Sequence, residues 1–194
     1  MSKWIIDKQF SFCYGHRVWS QKLIESFCET GDTACKCRAL HGHEGLVHVF
    51  LEGETLERGM VTDFKHLGWL KNFLDKNLDH RFLIDVNDPM YKTLVDSLYT
   101  EASGYPVPKL THVYVPGTNY HAGYELDLSG IAHLAGTPEY EVLEGYFIVN
   151  FVPTSENLSK WLFDCAQAKM SSININVTQI DWYETPKSRS SYRK

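Results

Sequence analysis

Residues 35–53, CKCRALHGHEGLVHVFLEG, join a cluster of thiols and imidazoles to a run of alternating apolar residues. From residue 43 to residue 53 the alternation has period two, which predicts a β-strand with one buried face. His43 belongs to that face, and His41 continues its parity if the strand extends back to it. Imidazoles two residues apart on a strand project to the same side. The stretch therefore predicts a strand that carries a pair of potential metal ligands.

The flanking sequence predicts both strands and helices. Residues 4–16 alternate and predict a strand in which His16 shares a face with Phe12 and Tyr14. Residues 63–78 and 155–170 have apolar residues at helical spacing, with Asp63 and Thr154 or Ser155 as helix starts. Residues 173–185 alternate again, with a change of phase that predicts a bulge. This order of elements predicts an α+β domain with an antiparallel sheet.

The central part of the chain gives weaker patterns. Residues 88–104 predict a helix capped by Asp88, with Leu98 in its apolar stripe, and residues 110–115 and 146–152 predict strands. Residues 116–145 are rich in Gly, Tyr and His and predict no defined element.

Composition limits the classes of function. The chain of 194 residues fits one domain, 1–194, and its net charge of -5 argues against a nucleic-acid or anionic-membrane partner. The basic end, residues 187–194, is predicted to be solvated. No apolar run reaches the length of a membrane span, and the N-terminus lacks a signal-peptide pattern. The odd number of five cysteines fits reduced thiols, and together these features predict a cytoplasmic protein.

Three interpretations of the His and Cys cluster remain open. If His16 lies beside His41 and His43 on adjacent strands, three imidazoles would hold Zn²⁺ with a fourth position open, as in catalytic sites. Alternatively, Cys28, Cys35 and Cys37 with one histidine would form a closed structural site, although C-x-C spacing is tight for that purpose. The third interpretation is that these residues bind no metal.

Several residues have the chemistry to move protons or to bind a substrate. A thiol near a cation has a lowered pKa, so Cys37 or Cys35 would serve as a base, and position alone does not choose between them. Asp79 and His80 form an adjacent acid–imidazole pair, which is also a common arrangement at a helix end. Glu184 at the end of a strand would accept two parallel N–H groups of a planar ring.

Six sequence blocks in a fixed order resemble the 6-pyruvoyl-tetrahydropterin synthase family. They are Phe12-x-x-x-His16-Arg17, Cys37-x-x-x-His41-Gly42-His43, Gly59-Met60-Val61-x-Asp63-Phe64, Leu78-Asp79-His80, Pro153-Thr154-Ser155-Glu156-Asn157 and Glu184-Thr185. The three-residue interval between Cys37 and the HGH pair is more similar to the carboxy-forming members, which act in queuosine biosynthesis, than to the pyruvoyl-forming ones.

The resemblance implies a tunnelling fold (T-fold), in which a four-stranded antiparallel sheet carries two helices on one face. It also implies homo-oligomers, usually hexamers, with active sites at subunit boundaries. The implied reaction converts 7,8-dihydroneopterin triphosphate to 6-carboxytetrahydropterin, acetaldehyde and triphosphate. Formation of 6-pyruvoyltetrahydropterin and a non-catalytic binding role are the alternatives.

The resemblance also assigns roles to individual residues. His16, His41 and His43 match the zinc ligands, Cys37 matches the catalytic base, and Asp79 and His80 match the relay pair. The pterin would be bound by residues that match the family's pocket, namely Glu184, Glu156 and Thr154. Arg17, Arg38 and Arg81 are candidates for the triphosphate on their chemistry alone.

One feature departs from the family pattern. Compact members pass directly from the Asp-His block to the Pro-Thr block, whereas here residues 81–153 lie between them. We refer to this stretch as the 81–153 segment and interpret it as an insertion with a role in assembly or at the surface.

Overall fold

The computed structural model describes residues 3–28, 32–96, 104–105 and 107–194. The strands are β1 Trp4–His16, β2 His41–Gly53, β3 Arg81–Asp85, β4 Lys109–Tyr114, β5 His121–Asp127, β6 Tyr146–Val149, β7 Asn176–Thr185 and β8 Ser188–Arg193. The helices are α1 Gly68–Asn77, α2 Tyr91–Val95, α3 Pro138–Glu144 and α4 Ser155–Met170. Within the described residues the strands form one sheet in the order β4-β5-β6-β3-β1-β2-β7-β8.

The predicted four-stranded antiparallel sheet is present as strands β1, β2, β7 and β8. The 81–153 segment extends it by four further strands, so the complete sheet is larger than predicted. The extension is also of mixed direction, because β3 runs parallel to both β1 and β6. The α+β class is confirmed, and the strand number is the part that the prediction missed.

Helices α1 and α4 cover one face of the four-stranded sheet. Alternate residues of the strands, such as Phe10, Val47 and Val49, share a single buried cluster with residues of both helices. The helices meet where the rings of Phe73 and Trp161 lie 6.1 Å apart. Period-two burial in the strands and an apolar stripe on each helix are the patterns that the sequence predicted.

The end of the chain is largely exposed, as predicted, but it is also ordered as a strand. Within residues 187–194, β8 pairs along the edge of β7. Tyr192 explains the pairing, because its ring packs 5.0 Å from the ring of Phe163 on α4. An aromatic anchor within a polar, basic sequence is enough to hold this edge strand on the sheet.

The phase change predicted in residues 173–185 is a β-bulge in β7. Phe50 pairs with Gln179 whereas Leu51 pairs with Val177, which leaves Thr178 as the additional residue. The bulge restores the inward direction of Ile180 and Trp182, both of which are fully buried. It therefore aligns the part of β7 that leads to Glu184.

The central elements are shorter than predicted. Asp88 does cap the turn that leads into α2, since its side chain accepts from the N–H of Met90, but the described helix covers only Tyr91–Val95. Leu98 lies outside the described residues. The predicted strand at 146–152 ends at Val149, and the unassigned residues 116–145 contain β5 and α3. No helix among the described residues is both long enough and apolar enough to span a membrane.

Candidate active site

Three imidazoles converge at the ends of β1 and β2. The antiparallel register places His16 opposite His41 and Tyr14 opposite His43. The Nε2 atom of His16 lies 3.1 Å from Nε2 of His41 and 3.1 Å from Nε2 of His43. Two nitrogen ligands of one tetrahedral zinc ion are separated by about 3.3 Å. The ligand type and spacing therefore suit a metal ion.

Main-chain carbonyl groups fix the orientation of these rings. Nδ1 of His16 lies 2.6 Å from the carbonyl oxygen of Pro153, and Nδ1 of His41 lies 2.8 Å from that of Ala39. A proton on Nδ1 leaves Nε2 with its lone pair free, which is the tautomer that coordinates a metal. His43 hydrogen-bonds to the main chain of Glu184. Each ring is thus held by a different part of the chain.

Burial also favours the neutral form of the imidazoles. It lowers the pKa of His16 to about 4, and it lowers the pKa of His43, in both cases with a contribution from neighbouring histidines. Neutral imidazole is the form that binds metals. The sulfur-ligated alternative is not favoured, because among the described residues the group of potential ligand atoms within 4.8 Å of one another consists of the three histidines.

A cavity of about 190 Å³ is lined by His16, His41 and four further predicted site residues. Cys37 enters it from a short 3₁₀ turn, Lys36–Arg38, that precedes β2. Glu184 enters it near the end of β7. Thr154 and Glu156 enter it from the start of α4, where the Thr154 side chain caps the helix by accepting from Asn157 N–H. A thiol and two carboxyl groups therefore share a cavity with His16 and His41, two of the three candidate metal ligands.

The environment of Cys37 differs from the expected one. Burial and the adjacent Cys35 thiol raise the pKa of Cys37, and the Glu184 carboxylate contributes in the same direction. A divalent cation held by the nearby imidazoles would act in the opposite direction. The structure distinguishes the two thiols that the sequence left equivalent, since Cys37 lines the cavity and Cys35 is not among its lining residues.

The carboxyl group of Glu184 lies within ion-pair distance of one of the three histidines. Its Oε1 atom lies 3.8 Å from Nε2 of His16, and its side chain is 25% exposed. Burial and the nearby Glu156 raise the pKa of Glu184. A half-buried carboxylate of this kind is well suited to bind N–H groups of a ligand, because such contacts replace the water that it has lost.

Asp79 and His80 are placed together, but not in this cavity. Asp79 accepts from Cys13 N–H at 2.8 Å, and its other oxygen lies 3.1 Å from Nδ1 of His80. His80 has a left-handed backbone with φ of 57° and an 82% exposed side chain. His80 lines a separate, open cavity of about 430 Å³ together with His43 and Arg81. Within one chain, Cys37 and His80 thus face different spaces.

Arg17 also lies apart from the cavity. Its Nε atom forms an ion pair with Oδ2 of Asp88 at 3.0 Å, and only 11% of its side chain is exposed. Arg17 is not among the residues that line the cavity. Its guanidinium is therefore engaged by the protein itself.

Comparison with known proteins agrees with the geometry. The family described as 6-pyruvoyl tetrahydropterin synthase matches residues 5–194. The chain belongs to this family. A member from Aquifex aeolicus, named 6-carboxy-5,6,7,8-tetrahydropterin synthase, is 30% identical over 99% of both chains. A Synechocystis protein of the same name is 30% identical over 58% of this chain and 84% of its own.

Solved structures confirm the T-fold of this family member. An uncharacterized protein from Wolinella succinogenes is 38% identical, covers 100% of this chain and 99% of its own, and superposes with a TM-score of 0.85. The 6-pyruvoyl tetrahydropterin synthase of Plasmodium falciparum is 17% identical, covers 100% of this chain and 99% of its own, and has a TM-score of 0.53. The latter likeness concerns the fold alone.

Sequence reasoning did not identify the residues that support the imidazoles. Tyr14 packs between them, with ring centroids 5.3 Å from His16 and 5.6 Å from His43, and its hydroxyl accepts from the indole N–H of Trp182 at 3.0 Å. The shared parity of Tyr14 and His16 was a signal for this contact. Gln21 and Val18, which also line the cavity, carried no signal in the sequence.

Proposed function

We propose that this protein is a zinc-dependent 6-carboxy-5,6,7,8-tetrahydropterin synthase. It would convert 7,8-dihydroneopterin triphosphate and water to 6-carboxytetrahydropterin, acetaldehyde and triphosphate, as a cytoplasmic step of queuosine or related 7-deazaguanine biosynthesis. The proposal rests on the convergence of the His16 and His41 imidazoles, the Cys37 thiol and the Glu184 carboxylate on one cavity, with Nε2 of His43 3.1 Å from Nε2 of His16. The name of the Aquifex aeolicus relative supports the carboxy-forming reaction.

The three histidines would hold the zinc ion. When bound there, the ion supplies Lewis acidity to the side chain of the substrate. Cys37 is the base in this scheme, because its sulfur is the thiol that lines the cavity. It removes a proton from the carbon chain of the substrate, and the positive charge of the site favours its thiolate form.

Glu184 would anchor the pterin ring. Its two oxygens accept parallel N–H bonds from the ring, and such charge-assisted pairs give orientation as well as affinity. Glu156 and Thr154 line the same cavity at the start of α4 and would form the adjacent wall of the pterin pocket. The ring would then place its side chain between the imidazoles and Cys37.

The relay pair would act in an oligomer. Because His80 and Cys37 face different cavities in one chain, a second copy must supply His80 if the two are to act on one substrate. Asp79 would orient the imidazole through Nδ1, and His80 would return a proton to the substrate. We therefore propose a homo-oligomer, such as a hexamer, with active sites between subunits.

The test is product analysis with zinc-loaded protein and dihydroneopterin triphosphate. The proposal predicts 6-carboxytetrahydropterin and acetaldehyde in equal amounts. Formation of 6-pyruvoyltetrahydropterin without acetaldehyde would instead assign the pyruvoyl-forming activity. Binding of zinc and pterin without any turnover would contradict the enzymatic proposal and leave a binding role.

A further inference from the structure

The 81–153 segment begins and ends against the metal-binding cluster. Its first strand, β3, pairs in parallel with the last residues of β1, and Leu83 lies opposite His16. Its last residue, Pro153, provides the carbonyl oxygen that lies 2.6 Å from Nδ1 of His16. Gly15 is packed so closely against Phe82 that an added Cβ would lie 2.5 Å from the ring. The segment is therefore in contact with the cluster at both of its ends.

Two buried carboxylates of this segment, Asp85 and Asp88, reach the residues that follow His16. They are only 2% and 4% exposed. Oδ2 of Asp85 accepts from the indole N–H of Trp19 at 2.9 Å, and Oδ2 of Asp88 forms the 3.0 Å ion pair with Arg17. Both contacts join the 81–153 segment to residues 17–19.

The other oxygen of each carboxylate stabilises its own loop. Oδ1 of Asp85 accepts from the main-chain and side-chain N–H groups of Asn87, and Oδ1 of Asp88 accepts from Met90 N–H. A buried carboxylate that lacks such partners is strongly unfavourable, so these contacts restrain the loop and the residues 17–19 together. The loop thus presents a hydrogen-bond acceptor, Oδ2 of Asp85, and an ion-pairing oxygen, Oδ2 of Asp88, to the chain beyond His16.

Residues 17–19 in turn hold the turn that carries Cys37. Val18 N–H donates to the carbonyl oxygen of Cys37 at 2.8 Å, and the Val18 side chain lines the cavity. A continuous set of contacts therefore runs from Asp85 and Asp88, through residues 17–19, to His16 on one side and Cys37 on the other.

We propose that Asp85 and Asp88 are positioning residues for the active site. By fixing Trp19 and Arg17 they orient the His16 imidazole and the Cys37 turn, and the 81–153 segment thereby acts as a support for the metal site. This inference rests on the proposed function for the identity of the metal as zinc. It also assigns to Arg17 a structural role in place of triphosphate binding.

The test compares Asp88→Asn with Asp181→Asn in the full-length protein. Asp181 is a matched control, because it is 1% exposed and pairs with Arg189 at 3.0 Å on strands β7 and β8. Zinc affinity of the metal-free protein is measured by competition with a chelator. Loss of a residue that supports a metal ligand lowers affinity by about 10- to 100-fold. We expect about a tenfold loss in Asp88→Asn and less than a twofold change in Asp181→Asn.

A second readout does not depend on zinc or on a pterin substrate. The rate at which iodoacetamide alkylates Cys37 is followed by peptide mass spectrometry, with Cys35 as the internal reference. Asp88→Asn should change the Cys37/Cys35 rate ratio at least threefold, whereas Asp181→Asn should leave it unchanged. If the protein lacks pterin turnover, both readouts still test the positioning role separately from the proposed function.

The inference would be overturned if Asp88→Asn and Asp181→Asn lowered the melting temperature equally, with no selective change in zinc affinity or in the alkylation ratio. If Asp88→Asn does not fold, Trp19→Phe removes the hydrogen bond to Asp85 while keeping an aromatic ring, and unchanged zinc affinity and alkylation ratio in that variant would be equally contradictory. Arg17→Met should lose zinc affinity in the absence of any triphosphate, a result that a triphosphate-binding role does not predict.

Discussion

The Nε2 atoms of His16 and His41 lie 3.1 Å apart, although the two residues are 25 positions apart in the sequence. They are directly opposite each other at the end of the long β1–β2 ladder, and His43 joins them from two residues further along, opposite Tyr14. The position of the candidate metal site is thus set by strand register. A shift of one residue in that register would turn the ligands to opposite faces of the sheet.

Replacing any of the three ligands should remove zinc binding. We expect His41→Ala to lower zinc affinity by at least about 100-fold, because two imidazoles leave the tetrahedral site incomplete. The matched control is His48→Ala, since His48 lies in the same strand with its ring 5.1 Å from the Tyr183 ring. Chelator competition and metal analysis after gel filtration measure the effect. Equal loss in both variants would contradict the assignment.

The two thiols of residues 35–37 should differ in function. Cys37→Ser should lower kcat/KM by about 100-fold or more while zinc content stays unchanged, because general bases contribute about this much to rate. Cys35→Ser should remain within about threefold of the wild type, since Cys35 does not line the cavity. A larger effect from Cys35→Ser would reverse the assignment of the base.

Glu184→Gln should weaken substrate binding. The amide cannot accept two charge-assisted N–H bonds, so KM should rise by about 10- to 100-fold. Glu52→Gln is the control, because that carboxyl group is also partly buried but pairs with Lys3. Steady-state kinetics would measure the change, with zinc content determined in parallel. An unchanged KM would exclude Glu184 as the pterin anchor.

The pH dependence of the free energy of unfolding should reveal the hydrogen bond from the Cys13 N–H to the Asp79 carboxylate. The Cys13 N–H, followed by His80, lowers the pKa of Asp79 from its ordinary value of 3.8. Between the folded and the unfolded pKa of Asp79, the unfolded state therefore binds more protons than the folded state. The stabilisation that the Asp79 contacts provide is complete above the unfolded pKa. It is lost as the pH falls through the lower folded pKa.

Asp79→Asn provides the comparison, because the amide oxygen can still accept from Cys13 N–H. The difference in free energy of unfolding between the wild type and Asp79→Asn should be constant above about pH 5 and shrink below it. Urea denaturation at low ionic strength from pH 3 to pH 7 measures this difference. A difference that grows on acidification would contradict the structure.

Packing of the 81–153 segment against β1 should be sensitive at Gly15. Gly15→Ala places a methyl group 2.5 Å from the Phe82 ring, and we expect a loss of about 1–3 kcal/mol in the free energy of unfolding. Gly68→Ala is the control, because no atom lies within 4 Å of its added Cβ, and it should be neutral or stabilising by up to about 1 kcal/mol. Equal stability of the two variants would contradict the close contact.

Local patterns in the sequence were sufficient to predict the core of the fold. Period-two alternation predicted β1 over residues 4–16, and helical spacing predicted α4 from Ser155 to Met170. The three histidines followed from strand parity together with an assumed antiparallel pairing. The assignment of Cys37 over Cys35 came from the resemblance to the family, because the two thiols are only two residues apart and position alone does not choose between them.

Other features depend on contacts between distant parts of the chain. The parallel pairing of β3 with β1 and the contact between Pro153 and His16 join residues that are far apart in sequence, so local periodicity cannot predict them. Arg17 looked like a triphosphate ligand because a guanidinium suits phosphate. Only the folded chain shows that the Arg17 guanidinium forms an ion pair with Asp88.

The measurement that tests the central claim most directly is a time course of acetaldehyde and pterin formation from dihydroneopterin triphosphate. It is run with zinc-loaded protein and with the same preparation after removal of the metal. The account predicts equal amounts of acetaldehyde and 6-carboxytetrahydropterin from the loaded protein, no product from the stripped protein, and recovery when zinc is returned. Product formation at the same rate without metal, or no product from fully loaded protein, would contradict it.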